Sequence, residues 1–178
     1  MGILAKLLHD RGHQVVWWAG TFDHRNKRHR AERDVVQEVA PGYTIRLIHG
    51  PAYRSNVSVR RLYNHRVVAS RFHALALQSP PPDVILCCVP TLDLGEQATR
   101  YGHRLGRPVI LDYRDLWPEI WVYLFPSWLR PALRLLLWPL YLQARRAFSR
   151  ATSICGITER FVEAALKLGR RSRTGLDR

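Results

Sequence analysis

Three short apolar runs restrict this chain more than any other feature: Asp83–Val89, Val109–Asp112 and Thr152–Ile157, each parted from the next by a stretch with helical spacing. A strand without a polar face has to be covered on both sides, and helical crossovers do that for a parallel sheet. Pro80, Pro81 and Pro82 set off the first run. Leu94, Ala98, Tyr101 and Leu105 then recur at spacings of four, three and four, which predicts a helix over Leu94–Leu105 that ends at Gly106-Arg107-Pro108. Ser127–Arg150 reads as a long helical stretch interrupted by Pro131 and Pro139, and a last helix is expected over Thr158–Leu168.

The first half repeats the alternation. Ile3, Leu4, Leu7 and Leu8 predict a helix over Ile3–Arg11, with Gly12 as its left-handed cap, followed by strands at His13–Ala19 and Tyr43–Ile48. Val59–Gln78 reads as a long helix capped by Ser58, with Leu62, Tyr63, Val67, Phe72 and Leu75 on its inner side. The expected fold class is α/β, a doubly wound parallel sheet in one domain over residues 1–168, with 169–178 as the start of a linker. A helix that closes in Arg11-Gly12-His13 and passes straight into a strand is the second half of a βαβ unit, so a first strand is expected ahead of Met1 and is missing.

Lys plus Arg number 28 against 14 Asp plus Glu, a net charge of +14, which selects anionic partners: phosphates on nucleic acid, nucleotide or lipid. Cys87, Cys88 and Cys155 fit neither a disulfide framework nor a zinc site and read as reduced core residues. No metal is expected, since His24 and His29 lie five apart without a carboxylate or thiol partner. The amino terminus lacks the apolar region of a signal peptide, and the uncharged stretches Ile120–Leu129 and Leu135–Ala144 fall short of the roughly 18 to 20 residues of a membrane span. A cytoplasmic protein, peripheral on a membrane, is the expectation.

Chemistry concentrates where the strand Val109–Asp112 ends. Asp112, Arg114, Asp115 and Glu119 follow it with Trp117 and Trp121 between, a polar set that a core does not need, at the sheet edge where ligands of open parallel sheets bind. The order of Arg11-Gly12-His13-x-Val15, an Asp83-Val84-Ile85 strand, Asp112-x-Arg114-Asp115-Leu116-Trp117-Pro118-Glu119 and Gly156-Ile157-Thr158-Glu159 resembles the amino-terminal domain of family-four retaining glycosyltransferases. It is most similar to the fucosyltransferase-like subgroup of cell-surface polysaccharide and O-antigen assembly. The segments Thr21-Phe22-Asp23-His24 and Lys27-Arg28-His29-Arg30 also look like that subgroup.

The resemblance implies one Rossmann-like half of a GT-B architecture, binding the acceptor, while a carboxyl-terminal domain binds the nucleotide-sugar donor. It implies sugar transfer to a lipid-linked oligosaccharide at the inner face of the plasma membrane, without a cofactor other than the nucleotide-sugar co-substrate. Asp112, Arg114 and Asp115 are the implied reaction-centre residues, and Glu119, Trp117, Arg54, Asn56, Thr91 and Glu159 the implied substrate contacts. Arg114 stands where related enzymes often carry a histidine. An arginine cannot serve as a general base, which suits a retaining mechanism in which the departing phosphate takes the acceptor proton. The family's first strand with its glycine-rich loop has no counterpart before Ile3, and its donor domain none after Arg178, so this chain alone is expected to be inactive or nearly so.

Each motif has a plainer alternative. Asp112 and Asp115 could cap a turn with Arg114 bridging them. Arg25, Lys27, Arg28 and Arg30 form either a phosphate- or membrane-binding loop or a solvated one. Arg54 and Asn56 bind a sugar or phosphate or make a turn, Thr91 is a helix cap or a ligand contact, and Glu159 is a candidate to face an interdomain cleft. Trp117–Arg146, with Trp128, Trp138, Arg130, Arg134, Arg145 and Arg146, suits a membrane interface or a core helix with its arginines in water. Two rival functions remain. One is a basic nucleic-acid-binding module, which lacks any nucleic-acid motif and is not expected; the other is an inactive fragment of a glycosyltransferase gene.

Overall fold

The computed structural model describes residues 2–56, 58–89 and 91–178. The protein is a mixed α/β chain that divides into two compact units, residues 1–72 and 73–178.

In the first unit, α1 (Gly2–Asp10) is followed by Gly12 at φ +86°, and β1 (Val15–Gly20) runs parallel to β5 (Tyr43–Ile48) in register from Val15↔Tyr43 to Gly20↔Ile48. Between them lie a two-residue-by-two-residue ladder, β2 (Phe22–Asp23) with β3 (Arg28–His29), and the strand β4 (Val35–Ala40). β4 pairs antiparallel with β5 across Pro41-Gly42 and shifts register between Glu38 and Ala40. Proline presets the first turn position, and glycine accepts the positive φ of the second, here +82° at Gly42. The sheet order β1-β5-β4 is therefore mixed, and the expectation of one all-parallel sheet is corrected here. An antiparallel neighbour needs only a tight turn, which the sequence supplies at Pro41-Gly42.

Helix α2 (Val59–Ala76) starts at Ser58, whose Oγ accepts the Arg61 N–H at 3.2 Å. Its buried positions are Asn64, Ala69, Phe72 and Ala76, while Leu62 and Tyr63, expected inside, are exposed. Asn64 can be inside because its amide donates to the Pro51 carbonyl at 2.7 Å.

The second unit holds the three-stranded parallel sheet β6-β7-β8: β6 (Ile85–Cys88), β7 (Val109–Tyr113) and β8 (Ser153–Gly156). Crossover α3 (Leu92–Leu105) ends at Gly106, φ +64°. The second crossover consists of α4 (Glu119–Tyr123), a 3-10 turn over Ser127–Leu129, α5 (Arg130–Leu136) and α6 (Trp138–Arg150). Pro131 and Pro139 occupy first-turn positions of α5 and α6, where no backbone N–H is needed, so they start helices rather than interrupt one. Helix α7 (Glu159–Gly169) follows β8.

Leu111, Tyr113, Phe148, Ile154 and Val162 are fully buried and form the centre of this unit. The Tyr113 ring meets Phe148 edge-on at 4.9 Å. Gly102 of α3 lies so close to β7 that an added Cβ would stand 2.2 Å from Val109 Cγ2 and 2.9 Å from the Arg107 carbonyl oxygen.

Residues 169–178, expected as the start of a linker, turn back onto β8. The Arg178 N–H donates to the Ile154 carbonyl at 2.9 Å, and the Gly156 N–H to the Arg178 carbonyl at 2.8 Å. Asp177, with no exposed surface, accepts the Ile154 N–H at 2.8 Å and the Arg171 guanidinium. A free strand edge offers unpaired N–H and C=O groups, and this tail satisfies them.

Candidate functional site

At the carboxyl end of β7, Asp112 stands in register with Cys88 of β6 and Cys155 of β8, flanked by the buried Leu111 and Tyr113. Strand alternation turns Asp112 to the face opposite its two neighbours and leaves its side chain 16% exposed. Arg114 places Nε 2.7 Å and Nη2 2.6 Å from Oδ2 of Asp112, and the Cys88 thiol lies 3.3 Å from that same oxygen. Burial, then the hydrogen bond to the Asp112 carboxylate, pushes the Cys88 thiol up to about 11. Bonding to Asp112 likewise raises Arg114, which remains a cation.

Asp115 is exposed, and its carbonyl accepts the Trp117 N–H at 2.7 Å. Trp117 precedes a cis peptide to Pro118, is 6% exposed, and offers its carbonyl to the Tyr113 hydroxyl at 2.8 Å. Its indole is thus packed in the unit, 5.3 Å from the Trp121 ring. Glu119 opens α4, where a carboxylate suits the helix start, and lies 3.5 Å from Arg134. Burial and the neighbouring Glu119 push Tyr141 up to about 12. The strand end therefore carries two carboxylate–guanidinium pairs, Asp112–Arg114 and Glu119–Arg134, with Asp115 in solvent.

Two other implied contacts sit on this unit. Thr91 occupies the N-cap position of α3 with extended backbone, yet its hydroxyl makes no capping bond. Glu159 heads α7 and receives both Nη groups of Arg173, one at 3.0 Å, which holds its carboxyl below the usual range.

In the first unit, Asp23 organises the basic loop. It accepts the N–H groups of Arg25 at 2.9 Å and Asn26 at 3.1 Å and the Arg30 guanidinium at 3.3 Å. Those contacts, the Asn26 N–H foremost, hold its carboxyl far below the usual range. Lys27 adopts φ 54°, donates to the Asn56 side-chain oxygen, and lies 5.1 Å from the Tyr53 ring centre. Arg61 donates to the Asn56 carbonyl at 2.7 Å. Two implied segments, the loop and the Tyr53–Asn56 stretch, therefore meet at Lys27 and Asn56. Arg25, Arg28 and Arg54 are exposed.

Thr21 and His29, from the segments Thr21–His24 and Lys27–Arg30, are neighbours of this contact, together with His49 and His65, to which the sequence did not point. The hydroxyl of the buried Thr21 lies 3.0 Å from His29 Nδ1 and 3.3 Å from His49 Nδ1, and the two imidazoles stack at 4.5 Å. Burial, then Arg61, pushes His65 down to about 4. In the second unit Tyr141 is an addition, while Cys88, read as a core residue, and Arg134, read as part of the Trp117–Arg146 segment, gain carboxylate partners. No local signal marks those pairings, because each residue acquires its neighbour only through strand register or helix packing.

Among the described residues, no group of three His, Cys, Asp or Glu side chains could hold a metal ion. No helix among them is long and apolar enough to cross a membrane. Fold and geometry define an α/β protein whose parallel sheet carries a paired carboxylate and guanidinium at a strand's carboxyl end. Compared with known proteins, the chain matches no family model, no curated protein and no solved structure.

Proposed function

We propose that the chain is the acceptor-binding, Rossmann-like half of a GT-B retaining glycosyltransferase, with a second domain binding the nucleotide-sugar donor. The acceptor is a lipid-linked oligosaccharide of cell-surface polysaccharide synthesis, met at the inner face of the plasma membrane. The observation that carries this reading is the Asp112–Arg114 pair at the end of β7, inside the string Asp112-x-Arg114-Asp115-Leu116-Trp117-Pro118-Glu119. Cys88 and Arg114 both bond Oδ2 of Asp112, and among the described residues Oδ1 has no hydrogen-bond partner. Oδ1 of Asp112, held in place by the guanidinium on Oδ2, and the exposed Asp115 carboxylate are then the acceptors for sugar hydroxyls.

Arg114 keeps its proton in this arrangement, so it can stabilise negative charge and cannot remove a hydroxyl proton. That favours a transfer in which the departing phosphate takes the proton and the protein supplies position and field. The second unit then presents the acceptor's sugar hydroxyls through Asp112 and Asp115.

The test is binding of the full chain to vesicles that carry a pyrophosphate-linked lipid disaccharide, against vesicles of equal charge with the sugar-free lipid phosphate. Binding that depends on the disaccharide, and falls at least tenfold in Asp112→Asn and in Asp115→Asn, is the expected result. Binding that follows vesicle charge alone, unchanged in both variants, would sink the reading.

A further inference from the structure

Helix α5 buries none of its residues: Leu135 is 76% and Leu136 73% exposed. Beside it in the chain, Trp128 is 78%, Leu124 65% and Trp138 54% exposed. Exposed apolar residues scattered singly are ordinary, but a run of bulky ones on one short crossover marks a surface that something else covers.

The charge of the segment selects the occupant. From Ile120 to Thr158 there is no Asp or Glu, while Arg130, Arg134, Arg145, Arg146 and Arg150 all fall there. Arg130 lies 5.4 Å from the Tyr123 ring centre, and Arg134, 3.5 Å from Glu119, is half exposed. A second copy would bring this one-signed surface against itself, with no carboxylate of the segment to pair the arginines. Tryptophan at the polar boundary, leucine beyond it and arginine among headgroups match an anionic lipid surface.

We propose that the crossover Ile120–Trp138 docks the protein on an anionic bilayer, with Trp128, Leu135, Leu136 and Trp138 entering the headgroup boundary and Arg130 and Arg134 contacting lipid phosphates. The docking stands on exposure and charge alone, so it holds whether or not the chain takes part in sugar transfer.

The experiment is flotation of the full chain with vesicles of phosphatidylcholine alone or of phosphatidylcholine and phosphatidylglycerol in equal parts. The protein should float with the anionic vesicles and stay behind with the neutral ones. Trp128→Ser/Leu135→Ser/Leu136→Ser should reduce the bound fraction at least tenfold, with an unchanged circular dichroism spectrum because all three side chains are in solvent. Arg130→Gln/Arg134→Gln should abolish the preference for phosphatidylglycerol. Vesicles with brominated acyl chains should quench the wild type more than Trp128→Phe. Equal flotation of wild type and the triple serine variant would overturn the proposal. So would a wild type that binds neither vesicle, including one that dimerises in solution through these residues.

Discussion

Asp177→Ala tests whether the last residues belong to the fold. Asp177 has no exposed surface and accepts the Ile154 N–H at 2.8 Å, while Ile154 itself is fully buried. Removing the carboxylate strands that N–H, at about 1–3 kcal/mol. Arg171 loses its ion-pair partner too, but it is 16% exposed and still donates to the Ala151 carbonyl at 3.0 Å. The full penalty for an orphaned buried charge, about 3–5 kcal/mol, is therefore reduced. Thr174 is exposed, so its N–H turns to water at little cost.

A net loss of about 3 kcal/mol follows, and with a urea slope of about 2 kcal/mol per molar the unfolding midpoint should fall by about 1.5 M. Asp177→Asn keeps an oxygen for Ile154 and should lose about 1 kcal/mol. Burial raises the Asp177 pKa, but the Thr174 and Ile154 N–H groups, the Thr174 hydroxyl and Arg171 outweigh it, so the net shift is downward. Its stabilisation is thus present above the ordinary aspartate pKa and lost as pH falls through the lowered one, a dependence the asparagine variant should lack. Urea unfolding followed by circular dichroism reads the midpoints, and amide exchange at Ile154 and Gly156 reads the local opening. An alanine variant within about 0.3 M of wild type, with both amides equally protected, would refute the reasoning.

His65, held near 4, should stay neutral where the unfolded chain's histidine protonates, so wild-type stability should fall between pH 6.5 and 4, and His65→Gln should lose roughly 2 kcal/mol less from pH 7 to pH 5 in urea titrations. Gly102→Ala should destabilise by about 3 kcal/mol or more and lower the melting temperature, because the new methyl group meets Val109 and the Arg107 carbonyl rather than a flexible side chain. Asp112→Asn should make Cys88 several-fold faster to alkylate at pH 9, read by peptide mass spectrometry, because the carboxylate charge that helps keep the thiol protonated is gone while burial remains.

The elements that showed in the sequence are those whose own residues demand a partner. The cysteine-rich run of β6, Val109–Tyr113 and Ser153–Gly156 are apolar between breakers, and Tyr43–Ile48 ends where the apolar run ends. The β4 strand has no clear signature of its own, although Pro41-Gly42 between Val35–Ala40 and Tyr43 is a hairpin signal. Gln37 and Glu38 interrupt the alternation because both are exposed on that edge strand. The inner face of α2 departs from its apolar periodicity for the opposite reason, since Asn64 is inside on account of a carbonyl at Pro51 that no periodicity registers. The tail was unreadable as structure because its anchor is one aspartate among arginines, and what buries it is the edge of β8.

The strand-end motif was legible because Asp112, Arg114, Asp115 and Glu119 are neighbours in sequence, but what those groups can do depends on residues that are not. Cys88 lies 24 positions from Asp112 and reaches it only because β6 and β7 pair in the register Cys88↔Asp112. With the thiol and both guanidinium nitrogens on Oδ2, Asp112 is fixed in orientation before any ligand arrives, and a fixed acceptor spends less of a ligand's binding energy on ordering. Lys27 and Asn56, 29 positions apart, show the same dependence in the first unit. A short motif thus supplies the functional groups, and parallel register and loop packing decide which atom of each remains open to a ligand.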